Sequence, residues 1–137
     1  MKSRWSVVAV AVAGVVLLLG AARASAHHSL SSEFDISKTV TITGTVTKME
    51  WTNPHSWLYV EVKDEQGPVA LWNIEFGSPN SLYRRGWRRT DLPEKVVVAV
   101  TGYLAKDGSK TISASDVKLP DGRTLFAGAR PPGGAAR

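Results

Sequence analysis

From Thr39 to Thr52 the chain alternates, with Val40, Ile42, Gly44 and Val46 on one parity and Thr39, Thr41, Thr43, Thr45 and Thr47 on the other. A period of two in a β-branched run predicts a long half-buried strand. Gly44 inside it predicts a bulge or a sharp bend, as small barrels need at their corners. Asn53-Pro54-His55 interrupts the run, and Ser56 to Lys63 follows with Leu58, Val60 and Val62 against Trp57, Tyr59 and Glu61, so a hairpin is expected. After the turn Asp64 to Pro68, Ala70, Trp72, Ile74 and Phe76 share a parity in a third strand, Val69 to Phe76. The signals then become helical. Ser78 caps, Pro79 suits the first helical position, Leu82 and Tyr83 supply apolar contacts, and Gly86 stops a short helix over about Pro79 to Arg85. Lys95 to Tyr103 and Thr111 to Leu119 read as two further strands joined by a turn at Lys106-Asp107-Gly108. Asp121-Gly122 makes another turn before a short apolar stretch, Leu125 to Ala127.

Three strands, a helix and two strands is the order of an OB-fold, a Greek-key barrel that closes its own edges. The expected class is all-β with one short helix, a small OB-fold-like five-stranded barrel; other small barrels or a β-sandwich share the same pattern of elements. Within the 137 residues the expected organisation is a signal peptide over 1–26, an extended amino-terminal segment over 27–38, the barrel over 39–128 and a disordered Pro/Gly/Ala tail over 129–137.

The signal reading rests on Lys2 and Arg4, an apolar run from Val7 to Ala22, and small residues at cleavage spacing, Ala24-Ser25-Ala26 before His27. A membrane anchor is the alternative, but about 16 apolar residues fall short of the ~20 a spanning helix needs. Cleavage after Ala26 leaves His27 first; the sequence Ala22-Arg23-Ala24 also fits a small-x-small site and would leave Ser25 first. The chain has no cysteine, so it carries neither a lipobox nor a disulfide, and a periplasmic or secreted protein released from the membrane is expected.

Charge then excludes one class of partner. The formal charge is +5, but Lys2, Arg4 and Arg23 take three of the 17 basic residues and none of the 12 acidic ones, leaving 14 against 12 in the rest. That near balance gives no long-range field for phosphate backbones, and nucleic acid is not expected as a partner. No nucleophile elbow, phosphate loop, HExxH or dinucleotide fingerprint occurs, which argues against an enzyme.

Several strings taken together carry a resemblance: His27-His28-Ser29, Phe34-Asp35, Gly44-Thr45-Val46, Glu50-Trp51-Thr52-Asn53-Pro54-His55, Trp72-Asn73-Ile74-Glu75, Leu82 to Trp87, Ala105 to Gly108 and Asp121-Gly122-Arg123. The chain resembles, from His27 to about Gly128, the exported bacterial family known as domain of unknown function 6152. The resemblance implies export and implies no activity, so it assigns no catalytic residue.

The residues themselves suggest chemistry at three places. The first holds all three histidines in two segments, His27 and His28 at the expected new amino terminus and His55 in the hairpin. If His27 is first, its α-amine and ring nitrogen form a chelate that His55 completes as a histidine-brace-like copper site. If Ser25 is first, the amine, two backbone amides and the imidazole of His27 wrap Cu(II) or Ni(II) in a plane. Copper is the candidate cofactor. Zinc is disfavoured by the absence of cysteine pairs and of His-x₃₋₅-His spacing.

The second place is the outer face. With even-numbered positions inside, Met49, Trp51, His55, Trp57, Tyr59, Asn73 and Glu75 point outward, and with Asn53 of the hairpin they offer a face for a small ligand or an envelope protein. Met49 would be a soft, weak ligand for Cu(I). A covering segment, or a bulge that reverses the parity, gives the same residues a purely structural role. Glu50 and Glu75 are the candidate acid pair, on strands taken as adjacent.

The third place is the basic cluster Arg84, Arg85, Arg88 and Arg89. It complements a helix C-terminus, or it meets an anionic partner such as lipid headgroups, a polyanionic glycan or an acidic protein patch.

Overall fold

The computed structural model describes residues 29–63 and 67–130. The expected signal peptide, His27, His28 and residues 131–137 of the tail lie outside them. Among the described residues six strands and two short helices follow one another: α1 (Leu30–Glu33), β1 (Val40–Glu50), β2 (Trp57–Lys63), β3 (Val69–Glu75), α2 (Pro79–Arg84), β4 (Val97–Leu104), β5 (Thr111–Lys118) and β6 (Thr124–Phe126). One helix was expected; α1 is the second.

The strands hydrogen-bond in the order β3-β2-β1-β4-β5-β6, and β3 also pairs with β5 in parallel, Asn73 opposite Thr111 and Glu75 opposite Ser113. That pairing closes β1 to β5 into the OB-fold-like barrel, with β6 added outside the ring on β5. The remaining contacts of the ring are antiparallel.

β1 serves two neighbours in turn. Val40 to Thr45 pair with β4, and Thr45 to Glu50 pair with β2. Gly44 stands at this changeover, where a Cβ would come within 2.9 Å of the Glu61 carbonyl oxygen. A side chain there would force two strands apart. The register slips three residues later: Val46 faces Val60 and Lys48 faces Tyr59, leaving Thr47 as the extra residue of a bulge.

The bulge reverses the parity. Before it Val46 points into the core; after it Met49 lies opposite fully buried Leu58 and packs on the core, while Lys48 and Glu50 face outward. Met49 and Trp51 therefore do not belong to the outer face that strict alternation predicts. Beyond the strand, Trp51 also packs against the core.

Val46, Leu58, Val60, Ile74, Val98, Val100, Ile112 and Val117 fill the barrel. The long β3–β4 connection closes it with Leu82, Trp87 and Leu92, all buried. In α2, Ser78 accepts from the Ser81 amide and Pro79 sits in the first turn, as the sequence predicts. Trp87 is fully buried and its Nε1–H donates to the Phe126 carbonyl at 2.8 Å.

A second, smaller cluster lies outside the barrel wall. Phe34 packs with Tyr103 and Ala129, flanked by Leu30, Ile36 and Ala105. Backbone bonds from Asp35 to Leu104 and from Lys106 to Glu33, each 2.8 Å, pin α1 to the end of β4. Ala129 is buried and its amide donates to Ala114 at 2.8 Å, so the packed region runs past the expected start of the tail.

Candidate functional site

His55 owes its position to backbone bonds at the base of the hairpin. The Ser56 amide donates to Gly77 and the Phe76 amide donates to Ser56, at 3.1 and 2.8 Å, while the Thr52 hydroxyl donates to the His55 carbonyl at 2.8 Å. These bonds hold the loop against the end of β3, where Glu75 faces Trp57 across β2. His55 Nδ1 lies 2.6 Å from Glu75 Oε1.

The two partners differ in exposure: the His55 side chain is 50% exposed and that of Glu75 only 14%. Burial pushes the Glu75 carboxyl above the ordinary glutamate range; the nearby His55 pulls it down, and the charge of Glu33 on α1 pushes it up again. Ser113 of β5 faces both Glu75 of β3 and Tyr103 of β4, and Phe34, which follows α1, packs on Tyr103, so α1 docks on this side of the barrel. An imidazole whose Nδ1 is engaged by a carboxylate keeps Nε2 for another partner. A carboxylate behind the ring is also the usual support of a metal-binding histidine, because it fixes the orientation of the ring.

Around this pair lies a mixed outer row. Glu50 faces Trp57, and Trp57 faces Glu75; Lys48 faces Tyr59, and Tyr59 faces Asn73. Glu50 and Glu75 therefore stand on β1 and β3 with Trp57 of β2 between them, so they are not the adjacent acid pair that the sequence suggested. Glu50 has other partners: it forms an ion pair with Lys48 and accepts from the Tyr59 hydroxyl at 3.0 Å. Those bonds, Lys48 first, hold its carboxyl below the usual range. Trp57 and Tyr59 are half-buried, and Asn53 is exposed in a turn with a cis Asn53–Pro54 peptide.

Trp51 leaves this face for the end of the barrel. Its ring stacks on Tyr83 of α2, with centroids 5.2 Å apart and planes 9° apart, and the Arg89 guanidinium lies 5.4 Å from the Trp51 ring centre. Arg85 lies 4.3 Å from the Phe126 ring centre and Arg130 4.8 Å from the same ring. Arg88 turns inward to the carbonyls of Trp87 and Tyr83, and Arg84 is exposed. Sequence reasoning found the arginines but missed Tyr83, Phe126 and Arg130 beside them, since no local pattern links the helix to β6 and the residues that follow it. It also missed Ser56, which is fully buried with its hydroxyl unpartnered.

Among the described residues no three His, Cys, Asp or Glu side chains gather as a metal site, and no helix is long and apolar enough to cross a membrane. Fold and geometry define a small OB-fold-like barrel with a carboxylate-supported histidine on its wall and an aromatic, arginine-rich end. A family model described as a family of unknown function, DUF6152, matches residues 14–114, and the chain belongs to that family. No curated protein matches it.

Proposed function

We propose that the protein is an exported binding protein of the periplasm that holds copper between its mature amino terminus and His55. The observation that carries this reading is the His55–Glu75 pair, a solvent-facing imidazole backed by a half-buried carboxylate 2.6 Å away. Two more features support it. The described residues supply one imidazole here, so further nitrogen ligands have to come from the segment before Ser29, where His27 and His28 stand. That segment leads in sequence into α1, which is pinned to the barrel wall on the side of Glu75. A small β-barrel with an exported leader and nitrogen ligands from two places is suited to carrying Cu(II).

The test is a Cu(II) titration with electron paramagnetic resonance on protein processed by its host, with intact mass placing the cut. The expected result is one tight site with nitrogen coordination, weakened at least tenfold by His55→Ala and by His27→Ala, and less by His28→Ala. Affinity equal to that of a peptide copying the first mature residues, and unchanged in His55→Ala, overturns it.

A second reading is a metal-independent module that docks an envelope protein or a small ligand. The half-buried rings of Trp57 and Tyr59 beside Glu75 and Asn73 favour it. Under it, Trp57→Ala removes binding of the ligand or partner while chelation of metal changes nothing.

A further inference from the structure

The cations at the α2 end of the barrel are not arranged as a solvated, charge-balanced surface. Between Gly77 and Pro93 the sequence has four arginines and a single acid, Asp91; from Gly122 onward it has no acid at all. Asp91 is already used, accepting from the Arg88 amide at 2.7 Å and from Arg123 at 2.8 Å. Arg123 is also taken by Asp121 at 2.7 Å. Among the described residues, no carboxylate pairs with Arg84, Arg85, Arg89 or Arg130. Surfaces that use charge for solubility intersperse both signs; here the acid nearest in register is Asp116, opposite Phe126 across β5 and β6, and it pairs with none of these arginines.

Three of these guanidinium groups rest on aromatic rings, Arg85 and Arg130 on Phe126 and Arg89 on the Trp51–Tyr83 stack. A stacked guanidinium keeps its N–H fork free in its own plane while the ring restrains its rotamers. Forks held ready in this way suit the bidentate recognition of phosphate oxygens. They stand on two separate supports, Phe126 and Trp51, so one small anion would meet only part of the set. A surface that presents many phosphates satisfies all of it. Half-buried Trp and Tyr rings beside the cations match the composition of groups that sit at a lipid headgroup layer.

We propose that this end of the barrel docks on the phosphate headgroups of an anionic lipid surface. The inference goes beyond the copper reading and does not depend on it.

The experiment is co-sedimentation of the processed protein, without metal, with vesicles of phosphatidylcholine alone or with about one-third phosphatidylglycerol, at about 0.1 M salt. The expected result is retention on the anionic vesicles only. The triple variant Arg85→Gln/Arg89→Gln/Arg130→Gln loses roughly a hundredfold in partitioning, from about fivefold per basic residue. A control variant, Lys38→Gln/Lys63→Gln/Lys110→Gln, removes the same charge elsewhere and loses far less. Should the arginine variant fail to fold, Arg84→Glu, at an exposed position, decides instead, with an expected loss of roughly twenty-five-fold for a change of two charges. Equal retention on uncharged vesicles, or equal losses in the lysine control, overturns the proposal. So does tight calorimetric binding of inorganic phosphate by a protein that no vesicle retains, which makes the end a small-anion site.

Discussion

Single residues fix the turns of this barrel, and the corner at Asp121 shows how. The Arg123 amide donates to Asp121 Oδ1 at 2.9 Å and its Nε to Oδ2 at 2.7 Å, and these bonds hold the Asp121 carboxyl below the ordinary aspartate range, the backbone bond contributing most. A carboxyl lowered on folding adds stability above its unfolded value, and that stability is lost as pH falls through the folded one. Asp121→Asn is therefore expected to lower the thermal midpoint near neutral pH, the difference shrinking as pH falls below the aspartate range. A difference that stays constant down to acid pH contradicts the assignment. His55 shows how far such readings reach from sequence: its residue type and hairpin were visible, but Glu75 as its partner was not. Nineteen intervening residues, with the whole of β2 among them, separate the two, and the backbone bonds between Ser56, Phe76 and Gly77 bring them together.

At the scale of elements, alternation located the strands and failed where one strand changes neighbour. β1 reads as a single period-two run, yet the extra residue Thr47 turns the side chains that follow it to the opposite face. Gly44 announced a bulge or bend, and a parity-reversing bulge was the alternative to the outward face, but the residue at which the register slips has no mark in composition; Met49 and Trp51, outward by strict alternation, are found against the core. α1 was illegible for another reason. Four residues cannot sustain a helix by propensity, and it forms because Phe34 packs against Tyr103 and Ala129. Phe34→Ala is thus expected to release the segment locally, leaving the barrel folded. Hydrogen exchange would show faster exchange at the Asp35 and Lys106 amides, which bond across this contact, and unchanged exchange at Val60 and Val100. Under the copper reading the same variant weakens Cu(II) binding, because it frees the strap that carries His27. Uniformly faster exchange over the whole barrel would show that α1 belongs to the global unit.

At the scale of the molecule, element order favoured an OB-fold-like barrel and left other small barrels or a β-sandwich open, because few ways exist to close three strands, a helix and two strands without an open edge. The closing pair, β3 with β5, is parallel and far apart in sequence, and no local pattern announces it. Nor does any pattern announce what seals the end of the barrel. Trp87, Leu82 and Leu92 of the β3–β4 connection are buried there, and the Trp87 indole packs edge-on to Phe76 with ring centres 5.4 Å apart. Its N–H bond to the Phe126 carbonyl ties that connection to β6, the strand whose ring carries Arg85 and Arg130. Two effects can be separated by substitution. Trp87→Ala removes both ring and bond and is expected to cost about 3–5 kcal/mol. Trp87→Phe keeps most of the ring but removes the indole N–H from the half-buried Phe126 carbonyl, at a cost of about 0.5–1.5 kcal/mol. Urea unfolding should show a lower midpoint for both with an unchanged slope, the signature of a seal inside the cooperative unit. If Trp87→Ala costs less than about 1 kcal/mol, the connection is not part of that unit, and the arginine-bearing end would move independently of the barrel beneath it.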